Sequence, residues 1–102
     1  VNKQVTLFAP MDMDIFHCRV YFSGKVQGVG FRYQCMKIAR EFEVCGYVEN
    51  LADGRVLLEV EGNESEVKKY VTEINDQMEI FIKTSDEKFQ RRATQFNAFL
   101  LK

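Results

Sequence analysis

Between Phe22 and Phe31 the chain changes its hydrophobic period, and the connection at the change, Gly24-Lys25-Val26-Gln27-Gly28-Val29-Gly30, holds three of its six glycines. Before it, Phe16, Cys18, Val20 and Phe22 alternate with His17, Arg19, Tyr21 and Ser23, the pattern of a half-buried strand. After it, Phe31, Cys35, Ile38, Ala39 and Phe42 recur at helical spacing, which predicts an amphipathic helix over 31–43. Glycines open backbone angles closed to other residues and remove side chains that would block a close approach. The first N–H groups of a helix lack internal partners, and the helix dipole is positive at that end. A loop of this kind running into a helix suits an anion such as phosphate. Arg32, in the first turn, offers a planar guanidinium to two phosphoryl oxygens at once. The standard phosphate fingerprints do not fit. Lys25 comes too early for a P-loop and no Ser or Thr follows it, while Tyr33 stands where a dinucleotide fingerprint needs its third glycine. The plainer alternative is a glycine-rich connection beside an exposed arginine.

The remaining pattern sets the frame. Gly46 ends the helical stretch, and 47–51 reads as a second strand. Asp53-Gly54 is a hairpin turn into a third strand over 55–61, with Val56, Leu58 and Val60 on one face and Arg55, Glu59 and Glu61 on the other. Asn63 with Glu66 resembles a capping box ahead of a helix whose buried stripe is Val67, Tyr70, Val71 and Ile74. A fourth strand is expected over 78–83, a polar surface loop over 84–93 and a closing strand over 96–102. The order is βαββαβ plus a last strand, which predicts a ferredoxin-like α+β domain: an antiparallel sheet with two helices on one face. That domain is expected over 14–102. Residues 1–13 show no clean period and read as a loose N-terminal extension.

Composition narrows the function. A chain of 102 residues fits one domain, and a formal charge of −1 argues against a protein that binds by neutralising many nucleic-acid phosphates. Cys18, Cys35 and Cys45 are odd in number and widely spaced, and His17 is the only histidine, so no metal-ligand spacing occurs. With no disulfide framework, no signal-like apolar region and no run long enough to span a membrane, a cytoplasmic monomer is expected.

Strand-helix-strand units run their two strands the same way, so the ends of the first and second strands share one edge of the sheet. Asn50 should therefore overlook the glycine loop. Its carboxamide both donates and accepts, which lets it hold a water against a bound phosphoryl group. The alternative is a turn-forming Asn ahead of Asp53-Gly54.

These residues carry a family resemblance. Gly24-Lys25-Val26-Gln27-Gly28-Val29-Gly30-Phe31-Arg32 resembles the acylphosphatase signature G-x-V-Q-G-V-x-F-R. Gly46-Tyr47-Val48-Glu49-Asn50, with Gly54 and Val56 beyond it, is similar to that family's second signature, and Phe96 to Lys102 is similar to its last strand. The resemblance covers residues 16–102. It implies the ferredoxin-like fold and hydrolysis of small-molecule acyl phosphates with no metal and no cofactor. By position Arg32 matches the family's substrate-binding arginine, Asn50 the asparagine that positions the attacking water, and the backbone of residues 24–30 the phosphate cradle. Glu49 departs from the family's usual basic or neutral residue, and would weaken anion binding if it faced the site.

The other polar residues read as structural. His17 sits mid-strand, away from the core row, and is a poor candidate base. Glu61, Glu64 and Glu66 fit a hairpin edge and a helix start, and Arg91 and Arg92 a solvated loop. Two rivals stay open from sequence: a non-catalytic anion-binding or regulatory module of the same fold, and an RNA-binding ferredoxin-like domain, for which Tyr21 is suggestive but the basic RNP motif is missing. An acylphosphatase-like domain excised from a larger carbamoyl-transfer protein is a third origin for such a chain.

Overall fold

The computed structural model describes residues 14–102. The extension expected over 1–13 lies outside them. The element order is β1 (Ile15–Gly24), α1 (Phe31–Ala39), β2 (Val44–Asn50), β3 (Val56–Gly62), α2 (Glu64–Gln77), a 3-10 turn (Glu79–Phe81), β4 (Ile82–Arg92) and β5 (Phe99–Leu101). The sheet order is β4-β1-β3-β2-β5. Four strands pair antiparallel, and β5 joins β2 in parallel, so the expected antiparallel sheet is mixed at its last edge.

One face of the sheet carries the helices. Cys18, Val20 and Phe22 of β1, Val48 of β2 and Val56, Leu58 and Val60 of β3 pack there against Phe31, Cys35 and Ile38 of α1 and Val67, Tyr70, Val71 and Ile74 of α2. Tyr70 is buried to its hydroxyl, which donates to the Cys35 carbonyl at 2.7 Å and so locks the two helices together without an orphaned polar group. Asn63 caps α2 by accepting from the Ser65 and Glu66 N–H groups. The reciprocal half of the expected capping box is not made, because the Glu66 carboxylate accepts from the Glu43 N–H instead. Helix α1 stops at Ala39, short of the expected 43. Beyond it, Glu41 and Phe42 donate to residues three back, Ile38 and Ala39, a tightened turn that frees the chain to enter β2.

The expected fourth strand is present but starts at Ile82 rather than 78, and it takes in 84–92, which the expectation gave to a loop. Met78 closes α2, and the strand runs from Ile82 to Arg92, paired with β1 along its length. Its sequence is polar because it is an edge strand with one neighbour and little burial. Main-chain hydrogen bonds hold it, and its charges blunt the free edge against pairing with other chains. Near its start the register slips between Ser23 and Gly24, so that Gly24 faces Ile82. Gly24 has φ 125°, and a Cβ there would meet the Phe81 carbonyl oxygen at 2.5 Å, so the bulge requires glycine.

Strands β4 and β5 sit at opposite edges, so residues 93–98 must cross the face that carries no helix. Four strand spacings are about 19 Å, and the seven steps from Arg92 to Phe99 reach at most about 25 Å. The crossing segment is therefore nearly straight. Glu61 fixes it by accepting from the N–H groups of Gln95 and Phe96, each at 2.9 Å.

Candidate active site

The first and second strands end side by side across β3, since Phe22 and Asn50 both register with Val56. Two strand spacings, roughly 10 Å, separate them. The glycine loop leaves β1 at this edge and folds over the gap. Val26 is its buried anchor. Lys25 donates its N–H to the Phe81 carbonyl at 2.9 Å, which ties the start of the loop to the turn before β4. From Val26 to Gly30 the main-chain N–H groups have no main-chain acceptor among the described residues. Gly28 and Gly30 adopt φ 79° and 78°, left-handed values that turn the chain into α1, with Gly30 as the cap. The first internal bond of α1 is from Gln34 to Gly30, so the N–H groups of Phe31, Arg32 and Tyr33 also lack helical partners.

Beside these groups lies a cleft of about 170 Å³ lined by Val26, Gly28, Gly30, Arg32 and Asn50, with Phe31, Tyr33 and Leu101 as its wall. One arm of the Arg32 guanidinium donates to the main-chain oxygen of Lys102 at 2.6 Å. That contact comes from the residue just past β5, and it holds the planar group while leaving its other N–H donors available. The Asn50 carboxamide makes no hydrogen bond to another described residue. Of the residues assigned from sequence to the phosphate cradle, Val26, Gly28, Gly30 and Arg32 line the cleft. Gly24, Lys25, Gln27 and Val29 shape the loop without lining it. Glu49 does not line it either: Val48 points into the core, so its neighbour faces the other side of the sheet.

A second polar cluster, on that other side, was not legible as one. His17 is only 1% exposed. Its Nε2 lies 2.7 Å from Glu59 Oε1 and 2.9 Å from Arg92 Nη2. Arg19 Nε lies 2.7 Å from the other oxygen of Glu59, and Phe96 stacks over the imidazole. The crossing segment seals this cluster, which corrects the reading of Arg92 as part of a solvated loop. Arg91 is likewise engaged, donating to Glu64 at 2.6 Å. Although His17 sits at ion-pair distance from Glu59, burial first and the Arg92 guanidinium second hold its pKa below the ordinary 6.5. We take the imidazole as neutral at pH 7, because desolvation and a facing cation together outweigh one carboxylate. The sequence signal was present in part: Arg19 and Glu59 are opposite charges at facing positions of β1 and β3.

Burial also raises the thiol pKa of Cys18 to about 12 and pushes Cys35 up, which leaves both as packing residues rather than nucleophiles. Among the described residues no three His, Cys, Asp or Glu side chains group as metal ligands, and no helix is long and apolar enough to cross a membrane.

The acylphosphatase family model matches residues 18–100. An acylphosphatase of Oceanobacillus iheyensis is 34% identical over 88 residues, covering 84% of this chain and 97% of that protein. One from Clostridium perfringens is 54% identical over 52 residues, but the match takes in 51% of this chain and only 58% of the relative's length. The crystal structure of the Bacillus subtilis acylphosphatase superposes with a TM-score of 0.77 at 26% identity, covering 85% of this chain and 98% of that one.

Proposed function

The chain belongs to the acylphosphatase family, and from that premise we propose that it hydrolyses the carboxyl–phosphate bond of small-molecule acyl phosphates in the cleft between the glycine loop and Asn50. One observation carries the reading: Val26, Gly28 and Gly30, whose N–H groups have no main-chain acceptor among the described residues, line one cleft together with Arg32 and Asn50. The loop donors of 26–30 and Arg32 bind the phosphoryl oxygens and stabilise charge as it redistributes. The acyl group lies along the wall of Tyr33 and Leu101. Asn50 orients a water in line with the leaving oxygen.

An acyl phosphate is a mixed anhydride, and its leaving group is a weakly basic carboxylate. As the water oxygen bonds to phosphorus, the phosphorus–oxygen bond to the acyl group breaks and its electron pair leaves with the carboxylate. No general acid is needed for that departure, so a cleft whose lining holds no His, Asp, Glu, Lys or Cys suffices. An amide is no base, and the proton of the water passes to a phosphoryl oxygen or to solvent. Positioning and charge stabilisation carry the rate. The reaction needs no metal and no cofactor in this reading. A non-catalytic anion binder on the same fold is the weaker reading, because it has no use for Asn50. We place the protein in the cytoplasm as a monomer that engages neither nucleic acid nor membrane.

The test is hydrolysis of an aryl acyl phosphate with and without a chelator. Chelator-resistant turnover that falls on the order of 10²-fold in Asn50→Ala is expected. A folded parent protein without turnover would move the weight to the anion-binding module.

A further inference from the structure

The glycine loop and the β2–β3 turn belong to different parts of the chain and share no main-chain hydrogen bond among the described residues. Gln27 joins them. Its Nε2 donates to the Leu51 carbonyl at 2.8 Å and to the Arg55 carbonyl at 3.0 Å. An amide nitrogen carries two N–H donors, and here both are used. The reversed amide would set Oε1 against two carbonyl oxygens, so the contacts fix which way the group points.

The turn that receives these bonds is itself rigid. Leu51 donates to the Arg55 carbonyl at 2.8 Å, Gly54 donates to the Leu51 carbonyl at 3.2 Å, and Arg55 donates to the Asp53 carboxylate at 3.1 Å. Asn50 immediately precedes this turn and registers with Val56 just past it. On the other side, Gln27 lies between Val26 and Gly28, both of which line the cleft. On that side Lys25 and the buried Val26 hold the start of the loop, but its N–H groups from 26 to 30 have no main-chain acceptor among the described residues. The Gln27 bonds are therefore its direct hydrogen-bonded link to the turn behind Asn50.

We propose that Gln27 is a positioning residue: its carboxamide spans from the phosphate cradle to the turn behind Asn50 and sets where the oriented water stands relative to phosphorus. The role rests on the reading of the cleft given above. In-line attack tolerates little error, since a misplacement of about 1 Å costs on the order of 10²-fold in rate. A tie with two bonds constrains both the distance and the angle between the two halves, which one bond does not.

A double-mutant cycle tests it, using the full chain, an aryl acyl phosphate and a parallel titration with inorganic phosphate. Gln27→Met keeps the length and bulk of the side chain and removes both donors. We expect kcat to fall about tenfold while the phosphate dissociation constant stays within about twofold. In the Asn50→Ala background the same change should cost less than about twofold, because no oriented water remains to be misplaced. An equal loss in both backgrounds would overturn the proposal. So would phosphate affinity falling in step with kcat, since either makes Gln27 a support of the cradle alone. If Gln27→Met melts below the assay temperature, Gln27→Asn replaces it in the same cycle, as its amide is too short to reach both carbonyls, and the same results support or overturn the role. A parent without turnover, or an Asn50→Ala variant as active as the parent, would instead sink the reading of the cleft, and this role with it.

Discussion

The two faces of the sheet treat their polar groups in opposite ways. On the helix-bearing edge, the loop N–H groups of 26–30 have no main-chain acceptor and the Asn50 carboxamide no hydrogen bond among the described residues, and Val26, Gly28, Gly30 and Asn50 line one cleft. On the open face most polar groups are paired: Glu59 binds Arg19 and His17 and lies near Arg92, and Glu61 binds the backbone of 95 and 96. His17 Nδ1 and Arg92 Nε stay buried there without a hydrogen-bond partner among the described residues. Buried polar groups stabilise a fold only when they satisfy one another. Groups meant for a ligand must stay unsatisfied until it arrives, and they are tolerated because they sit at a solvent-open edge. The crossing segment links the two regions, for it brings β5, and with it Lys102, up to Arg32.

The contrast can be broken from either side. The largest effect should come from Arg32→Ala, which removes a charged donor from the cleft. Turnover is expected to fall on the order of 10³-fold, about 4 kcal/mol of transition-state stabilisation, with the thermal midpoint nearly unchanged. Glu59→Ala should do the reverse. Its carboxylate is buried, and its loss leaves Arg19 and Arg92 without their anion and His17 without its carboxylate partner, for a destabilisation of about 3 kcal/mol in a denaturant melt. Activity per folded molecule should hold.

Smaller effects sharpen the picture. Glu61→Gln keeps an acceptor for the crossing segment but loses the charge, and a cost of about 1 kcal/mol is expected, read in the same melt. The smallest effect is a pH slope. Burial, then Arg92, depress the His17 pKa in the folded state below its ordinary 6.5. The folded protein thus binds this proton less readily than the unfolded chain. Its contribution is fully present above the unfolded value and is lost as the pH falls through the depressed folded one. Thermal midpoints compared at about pH 7 and about pH 5 should fall less steeply in His17→Gln than in the parent.

Much of the molecule was legible because local rules and global fold agree. The alternation of Phe16 to Phe22, the glycine break, the helical stripe from Val67 to Ile74 and the Asp53-Gly54 turn each specify one local geometry. Together they place Asn50 beside the loop by topology alone. What stayed hidden depends on contacts distant in sequence. The residues from Thr84 to Arg92 look like a loop because an edge strand needs no apolar face, only the open main-chain groups of β1. His17 and Glu61 look solvent-facing because alternation describes a sheet with one bare face, and it cannot show that Phe96 will be drawn across that face. The side-chain tie made by Gln27 was hidden for the same reason, since its acceptors lie on a turn more than twenty residues away.

The most direct measurement of this division is an NMR titration of the full chain with inorganic phosphate, read residue by residue. Saturable shifts should appear at the amides of 26–30, the Arg32 guanidinium and the Asn50 carboxamide. His17, Arg19 and Arg92 should stay silent. Shifts centred on His17 and Arg19, or a glycine loop that does not respond at saturating phosphate, would contradict the account.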